Sequence, residues 1–149
     1  MFEPRDPDFE ARVRASFARQ GAMRVMGAAM TRAAPGETEI ALTHGPDVTQ
    51  QHGLFHGGVT TSVLDSACGY AALSLMAPGF AVLTVELKMS FLAPADGARL
   101  IARGWVIKPG RTLSFCEGAA FVLNDGTERK IATISATMMA VANREGFID

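Results

Sequence analysis

Hydrophobic positions recur with two different periods along the chain. Phe9, Val13 and Phe17 stand four residues apart, with Glu10, Arg12 and Arg14 between them. That spacing predicts an amphipathic helix opened by Pro7-Asp8 and stopped near Gln20-Gly21. Two strands are predicted next, over residues 23–33 and 38–43, with Ala34-Pro35-Gly36-Glu37 as the turn between them. His44-Gly45-Pro46-Asp47 breaks the chain again, and a loop leads to Gly57-Gly58. Residues 59–76 give the longest helical reading, halted by Pro78-Gly79. Val59, Val63, Ala67 and Tyr70 fall on one side of it. A second stripe holds Thr61, Ser62, Asp65, Gly69, Ala72 and Leu73. A helix with so little charge is buried, and small side chains let another element approach it closely.

Beyond Gly79 the period shortens to two. In residues 80–92, Glu86, Lys88 and Ser90 share one face, and Val85, Leu87, Met89 and Phe91 share the other. Further strands are predicted over 98–107, 113–123 and 130–141. Pro94-Ala95-Asp96-Gly97, Lys108-Pro109-Gly110-Arg111 and Asn124-Asp125-Gly126 turn the chain between them. Four strands joined by short turns predict an antiparallel meander. One long apolar helix followed by a meander has an economical solution: the sheet curls around the helix and buries it. The predicted class is α+β, one domain over residues 1–149, with a sheet wrapped around a central helix and an extra helix at the N-terminus.

Composition narrows the setting. The chain has 149 residues, 48% hydrophobic and 19% charged, enough for one domain with its own core. Its mean hydropathy of +0.17 is high for a small monomer and points to surface buried against a second copy. Lys and Arg total 14 against 15 Asp and Glu, a net charge of −1. No positive field exists to gather nucleic acid or anionic lipid. Cys68 and Cys116 form no CxxC or Cys/His cluster, which suits buried thiols in a reducing compartment. The N-terminus has no basic-then-apolar leader. Asp65 interrupts the longest apolar run, so a membrane span is not expected. The expected protein is soluble and cytoplasmic.

The chemistry gathers between residues 50 and 65. Gly57-Gly58 stands where loop becomes helix, and a helix N-terminus offers unpaired N–H groups and a partial positive charge. Glycine there lets a polarised carbonyl oxygen come close. Asp65 lies mid-helix in an apolar run, where an ionised carboxylate is costly unless paired or wet. It is read as a nucleophile or as a general base acting on water, against the plainer reading of a buried carboxyl satisfied by Thr61 or Ser62. Eight residues of helix separate it from Gly57, about 12 Å, whereas reacting groups must come within roughly 3–3.5 Å. A second copy with an antiparallel helix would bring Gly57 of one chain to Asp65 of the other.

Gln50-x-x-Gly53-x-x-His56-Gly57-Gly58 followed by Leu64-Asp65-x-Ala67 resembles the pattern of phenylacetate-degradation-type hotdog thioesterases and the related 4-hydroxybenzoyl-CoA thioesterases. The resemblance runs from about residue 23 to 141. It implies the hotdog fold and hydrolysis of an aryl- or medium-chain acyl-CoA, with coenzyme A as part of the substrate and no separate cofactor. The expected assembly is a homodimer, alone or paired into a homotetramer. Asp65 resembles the catalytic carboxylate, and the Gly57 amide the group that polarises the thioester. Gln50 stands where the family carries Asn or Gln, with Gln51 one position off. His56 resembles the histidine before the glycines, and Thr84 a hydroxyl that positions the attacking water. Gly58 and Phe55 would line the substrate, and Lys108 and Arg111, with Lys130 nearby, would meet the nucleotide phosphates. Tyr70 and Met89 are acyl-pocket or core candidates. His44 and His52 stand alone in loops, and nothing points to metal ligation.

Two other readings compete. A hotdog hydratase or dehydratase needs a His/Asp pair placed to move a proton at carbon, and His56 lies nine residues before Asp65, ahead of the helix. A non-catalytic acyl-CoA-binding module would need no Asp65.

Overall fold

The computed structural model describes residues 2–142. The amphipathic N-terminal segment forms α1, Phe9–Ala18, which buries Val13 and Phe17. Arg12 fastens it to the rest of the chain. Its Nε meets Asp6 Oδ2 at 2.8 Å, and Nη2 donates to the carbonyls of Leu73 at 3.3 Å and Met76 at 2.7 Å. A cation at the carbonyl end of the long central helix complements that helix's dipole.

The strand expected from residue 23 begins later than its composition indicates. Gly21–Val25 coil into a short helix, α2, and strand β1 spans Ala29–Ala34. Gly27, at φ 68°, takes the left-handed conformation that ends the helical turn. Met23 is buried as a helical residue, and a single buried position in five residues carries no period to read.

The remaining elements are β2 (Glu37–Thr43), a 3-10 turn (Pro46–Val48), α3 (Gly57–Leu73), β3 (Phe80–Phe91), β4 (Arg99–Lys108), β5 (Leu113–Asn124) and β6 (Thr127–Ala142). Helix α3 starts and ends earlier than the 59–76 reading, because His56 caps its first turn and Ser74 its last. Strand β6 starts before Lys130, because Asp125 at φ 47° and Gly126 at φ 80° close a two-residue turn.

The strands form one six-stranded antiparallel sheet in the order β1-β2-β4-β5-β6-β3. A plain meander would set β3 beside β4. Here β2 lies beside β4, and β3 pairs only with β6, at the far edge. Residues 92–98 are too long a link for a tight hairpin and carry the chain across to β4.

Helix α3 packs against β2, β3, β4, β5 and β6, so the sheet wraps around it as in the hotdog fold. The approach is closest at Gly104, where a Cβ would stand 2.5 Å from the Ala67 carbonyl carbon. Thr38 Oγ1 donates to the Ala67 carbonyl at 2.6 Å. Ile40, Leu64, Leu73, Leu100 and Met138 are fully buried around this contact, each gaining about 1.5–3 kcal/mol in transfer from water. The small-residue stripe is only partly open. Gly69, Ala72 and Leu73 lie under the sheet, whereas Thr61, Ser62 and Asp65 remain half-buried. The face available to a partner is therefore the N-terminal half of α3.

Candidate active site

Strand β3 faces α3 in two registers. Thr84 pairs with Met138 and Glu86 with Thr137, so Val85 is an extra residue, a β-bulge. Before the bulge, Thr84 points at the helix. After it, Leu87, Met89 and Phe91 share the side of Ala136, Ile134 and Ala132, three buried residues of β6. Without the bulge, a strand of period two would place Thr84 on the face of Glu86, Lys88 and Ser90. The bulge thus delivers a hydroxyl to the helix and still keeps three charged or polar side chains away from it.

Thr84 Oγ1 donates to Asp65 Oδ1 at 2.7 Å. Asp65 Oδ2 has no hydrogen bond among the described residues. Burial pushes the Asp65 carboxyl above its ordinary range, and the Thr84 hydroxyl pulls part of the way back. The result is a half-buried carboxylate with one oxygen held and the other free.

The helix N-terminus is equally asymmetric. His56 is the N-cap of α3, and its Nδ1 accepts the Gly58 amide at 2.9 Å. That bond requires Nδ1 to carry no proton. The Gly57 N–H has no partner among the described residues. Gly58 is thus consumed by the cap, and Gly57 keeps the donor. The Phe91 ring stands over the same glycine, and a Cβ on Gly57 would lie 3.3 Å from its tip. Neither the bulge nor Phe91 was visible as a site feature in the sequence; the change of parity between Thr84 and Leu87 was the available signal.

The other sequence candidates are dispersed. Gln50 Oε1 accepts the His52 backbone N–H within a tight loop turn, and its own carbonyl takes the Gly53 amide at 2.9 Å. Gln51 lies on the exposed side of that turn beside His52. His44 Nε2 contacts the Gly53 carbonyl at 2.7 Å and its ring meets Phe55 edge-on. Phe55 itself is 3% exposed and belongs to the core, as does Tyr70, packed on Phe17. Met89 is half-buried on the inner side of β3. Lys108 and Arg111 are exposed at the β4–β5 turn. Lys130 lies over the Phe121 ring, 5.8 Å from its centre, on β6. Cys68 and Cys116 are buried, and burial pushes the Cys116 thiol up to about 12 and Cys68 well above its usual range. Among the described residues, no cluster of His, Cys, Asp or Glu could hold a metal ion, and no helix is long and apolar enough to cross a membrane.

Within one chain, α3 runs unbroken from Gly57 past Asp65. The free amide and the free carboxylate oxygen therefore stand about 12 Å apart along the helix. The exposed apolar side chains cluster near the edge that could bring them together. Val85 is 54% exposed, Phe91 57% and Leu92 58%, and among the described residues no strand lies beside the outer rim of β3.

A sheet wrapped on one long helix is the hotdog arrangement. Residues 52–128 match the model of the thioesterase superfamily, and the chain belongs to that family. As an enzyme it stands among the acyl-CoA thioester hydrolases. Its fold matches a thioesterase family protein of Silicibacter pomeroyi at 49% identity and a TM-score of 0.89, over 91% of this chain and 99% of that one. The Escherichia coli PaaI protein of the phenylacetic acid degradation operon shares the fold alone, at 18% identity and a TM-score of 0.81 over 95% of this chain and 97% of that one. Human acyl-coenzyme A thioesterase 13 is 30% identical over 96 residues, which are 62% of this chain and 66% of the human one, just under two thirds of its length.

Proposed function

We propose that the protein hydrolyses an aryl- or medium-chain acyl-CoA at sites shared between two copies of the chain. The observation that carries the reading is the Asp65–Thr84 pair: a carboxylate with one oxygen fixed at 2.7 Å and the other open. Two chains joining β3 edge to β3 edge, with their α3 helices antiparallel, set the partner's Gly57 amide against Asp65. The exposed apolar residues of β3 are then covered, in keeping with the chain's high mean hydropathy. Pairing of two such dimers into a tetramer extends the same logic. The raised thiols of Cys68 and Cys116 suit the reducing cytoplasm.

In this site the thioester carbonyl accepts the Gly57 N–H, at the positive end of a helix. The free oxygen of Asp65 then removes a proton from water as the water attacks, or attacks the carbonyl itself to give a mixed anhydride that water opens. In either route the C–S bond breaks, the carboxylic acid forms, and the thiolate of coenzyme A leaves and takes up a proton. A donor aimed at the developing oxyanion contributes about 2.7–4 kcal/mol in comparable sites. His56 holds the Gly58 amide and so leaves the Gly57 donor in place. Gln50, whose amide nitrogen has no partner among the described residues, would help seat the thioester or the water from the loop before the helix.

The direct test is release of free thiol from a panel of acetyl-, octanoyl-, benzoyl- and phenylacetyl-CoA. Release is expected to be fastest with the octanoyl or aryl esters. Tight binding of every ester with release from none would instead make the chain a binding module.

The Thr84 hydroxyl gives a pH prediction. It lowers the Asp65 pKa against the effect of burial, so Thr84→Val lets that pKa rise further. Only the ionised carboxylate acts as base or nucleophile. The acidic limb of the kcat profile is therefore expected to move to higher pH in Thr84→Val and to stay near the wild-type position in Thr84→Ser. An unmoved limb in Thr84→Val would separate Thr84 from the reaction.

A further inference from the structure

A cavity of about 220 Å³ lies beyond the carbonyl end of α3, walled by Met76, Phe80 and Phe2. The β4–β5 turn forms its rim on one side, and the segment before α1 closes it on the other. That segment is held in place by Arg12, which binds Asp6 and the last carbonyls around α3. Arg5 comes to the cavity from the N-terminal segment and Arg111 from the turn. Among the described residues, no ion pair or hydrogen bond engages either guanidinium. Among the described residues Glu3 is the one carboxylate lining the cavity, against the two guanidinium groups of Arg5 and Arg111. Ser114, only 5% exposed, lines the same space; its Oγ accepts the Gly110 N–H at 3.5 Å and its own proton has no acceptor among the described residues.

Two unpaired arginines and a buried hydroxyl donor around an apolar space fit a ligand with phosphates at one end and a slender, partly apolar stem at the other. The position fits as well. Ala72, on the cavity wall, is seven residues along α3 from Asp65, about 10 Å, within reach of a pantetheine arm whose thioester lies at Asp65. We propose that Arg5, reaching the cavity from the N-terminal segment, is a further phosphate clamp for the acyl-CoA beside Arg111, the residue already expected to meet the nucleotide. The N-terminal segment is then part of the substrate site as well as a cover for the fold. The inference rests on the acyl-CoA reading given above.

The test compares one acyl group on two thiols, coenzyme A and pantetheine, the second lacking all phosphates. For the wild type, kcat/KM is expected to favour the CoA ester. Arg5→Ala is expected to cut that preference about tenfold, the size of one charge-assisted hydrogen bond, mainly through KM. Raised salt is expected to erode the preference in the wild type more than in Arg5→Ala. Arg24→Ala, an exposed change on α2, serves as the control for removing a positive charge elsewhere and is expected to keep the preference. Calorimetric titration with coenzyme A alone is expected to show the same loss for Arg5→Ala without turnover. A wild-type preference that Arg5→Ala leaves intact overturns the clamp and leaves the hydrolase reading standing. Cleavage of neither ester by the wild type overturns both.

Discussion

Asp65→Asn is expected to lower kcat by about 10³-fold, within the range that a positioned base or nucleophile contributes, with little change in KM. The same variant is expected to melt at a higher temperature than the wild type at neutral pH. Both effects come from one cause. Burial raises the Asp65 pKa above its unfolded value, so holding the carboxylate ionised in the folded protein costs stability. A group of this kind adds stability below its unfolded pKa, near 4, and loses it as pH rises through the folded pKa. Asparagine does not titrate and carries no such cost. The gap in melting temperature between the variant and the wild type should therefore open as pH is raised from about 4. Stopped assays over several acyl-CoAs, with melting curves across pH, check both halves. Near-normal kcat in the variant would remove Asp65 from the chemistry, and a lower Tm would make it a structural carboxyl.

The buried helix and the strands after it were legible because their apolar residues repeat over many turns. Val63, Leu64 and Ala67 are fully buried, as a helix with almost no charge requires. What the sequence concealed was non-local. The place of β3 at the sheet edge depends on which strand β6 and β4 accept as neighbours, and no period within residues 80–91 records that. The bulge at Val85 was hidden for a related reason: a single extra residue changes parity midway, and the apolar run of residues 80–83 before it has no alternation against which the change would show. Helix α2 was too short to show any period.

The site divides along the same line. Asp65 and Gly57 were named by their types and by the resemblance, and Thr84 by the resemblance, yet the physical reason for preferring the Gly57 amide to that of Gly58 needed a side-chain orientation. His56 Nδ1 spends one of the two, and composition cannot say which. Phe55, an aromatic that could line an acyl pocket or fill the core, turns its ring into the core beside His44. The two arginines at the cavity rim stand more than a hundred residues apart in sequence, and contacts distant in sequence, the Arg12 anchor to the end of α3 and the packing of Phe2 on the core, bring the first to the same cavity as the second.

Mixing two inactive variants is expected to restore activity. Gly57→Pro removes the amide proton of Gly57 at the first helical position, where proline is tolerated. His56, at φ −65° and ψ 136°, already has the extended conformation that a following proline favours. The ring tip of Phe91, 3.3 Å from the new Cβ, needs to give by only a few tenths of an ångström. Homodimers of Gly57→Pro lack the donor at both sites, and homodimers of Asp65→Asn lack the carboxylate at both. In a hybrid dimer with sites built across the two-fold axis, both lesions fall in one site, and the other receives an intact Asp65 and an intact Gly57. Half of randomly reassorted dimers are hybrids with one working site in two, so about a quarter of wild-type activity should return. Sites contained within single chains would give no recovery, since every chain carries a lesion. Co-refolding the two variants, or co-expressing them under separate tags and assaying the doubly tagged fraction, distinguishes the cases. No recovery in a doubly tagged dimer would place the amide and the carboxylate in the same chain, which the unbroken helix from Gly57 to Asp65, about 12 Å long, does not permit without unfolding.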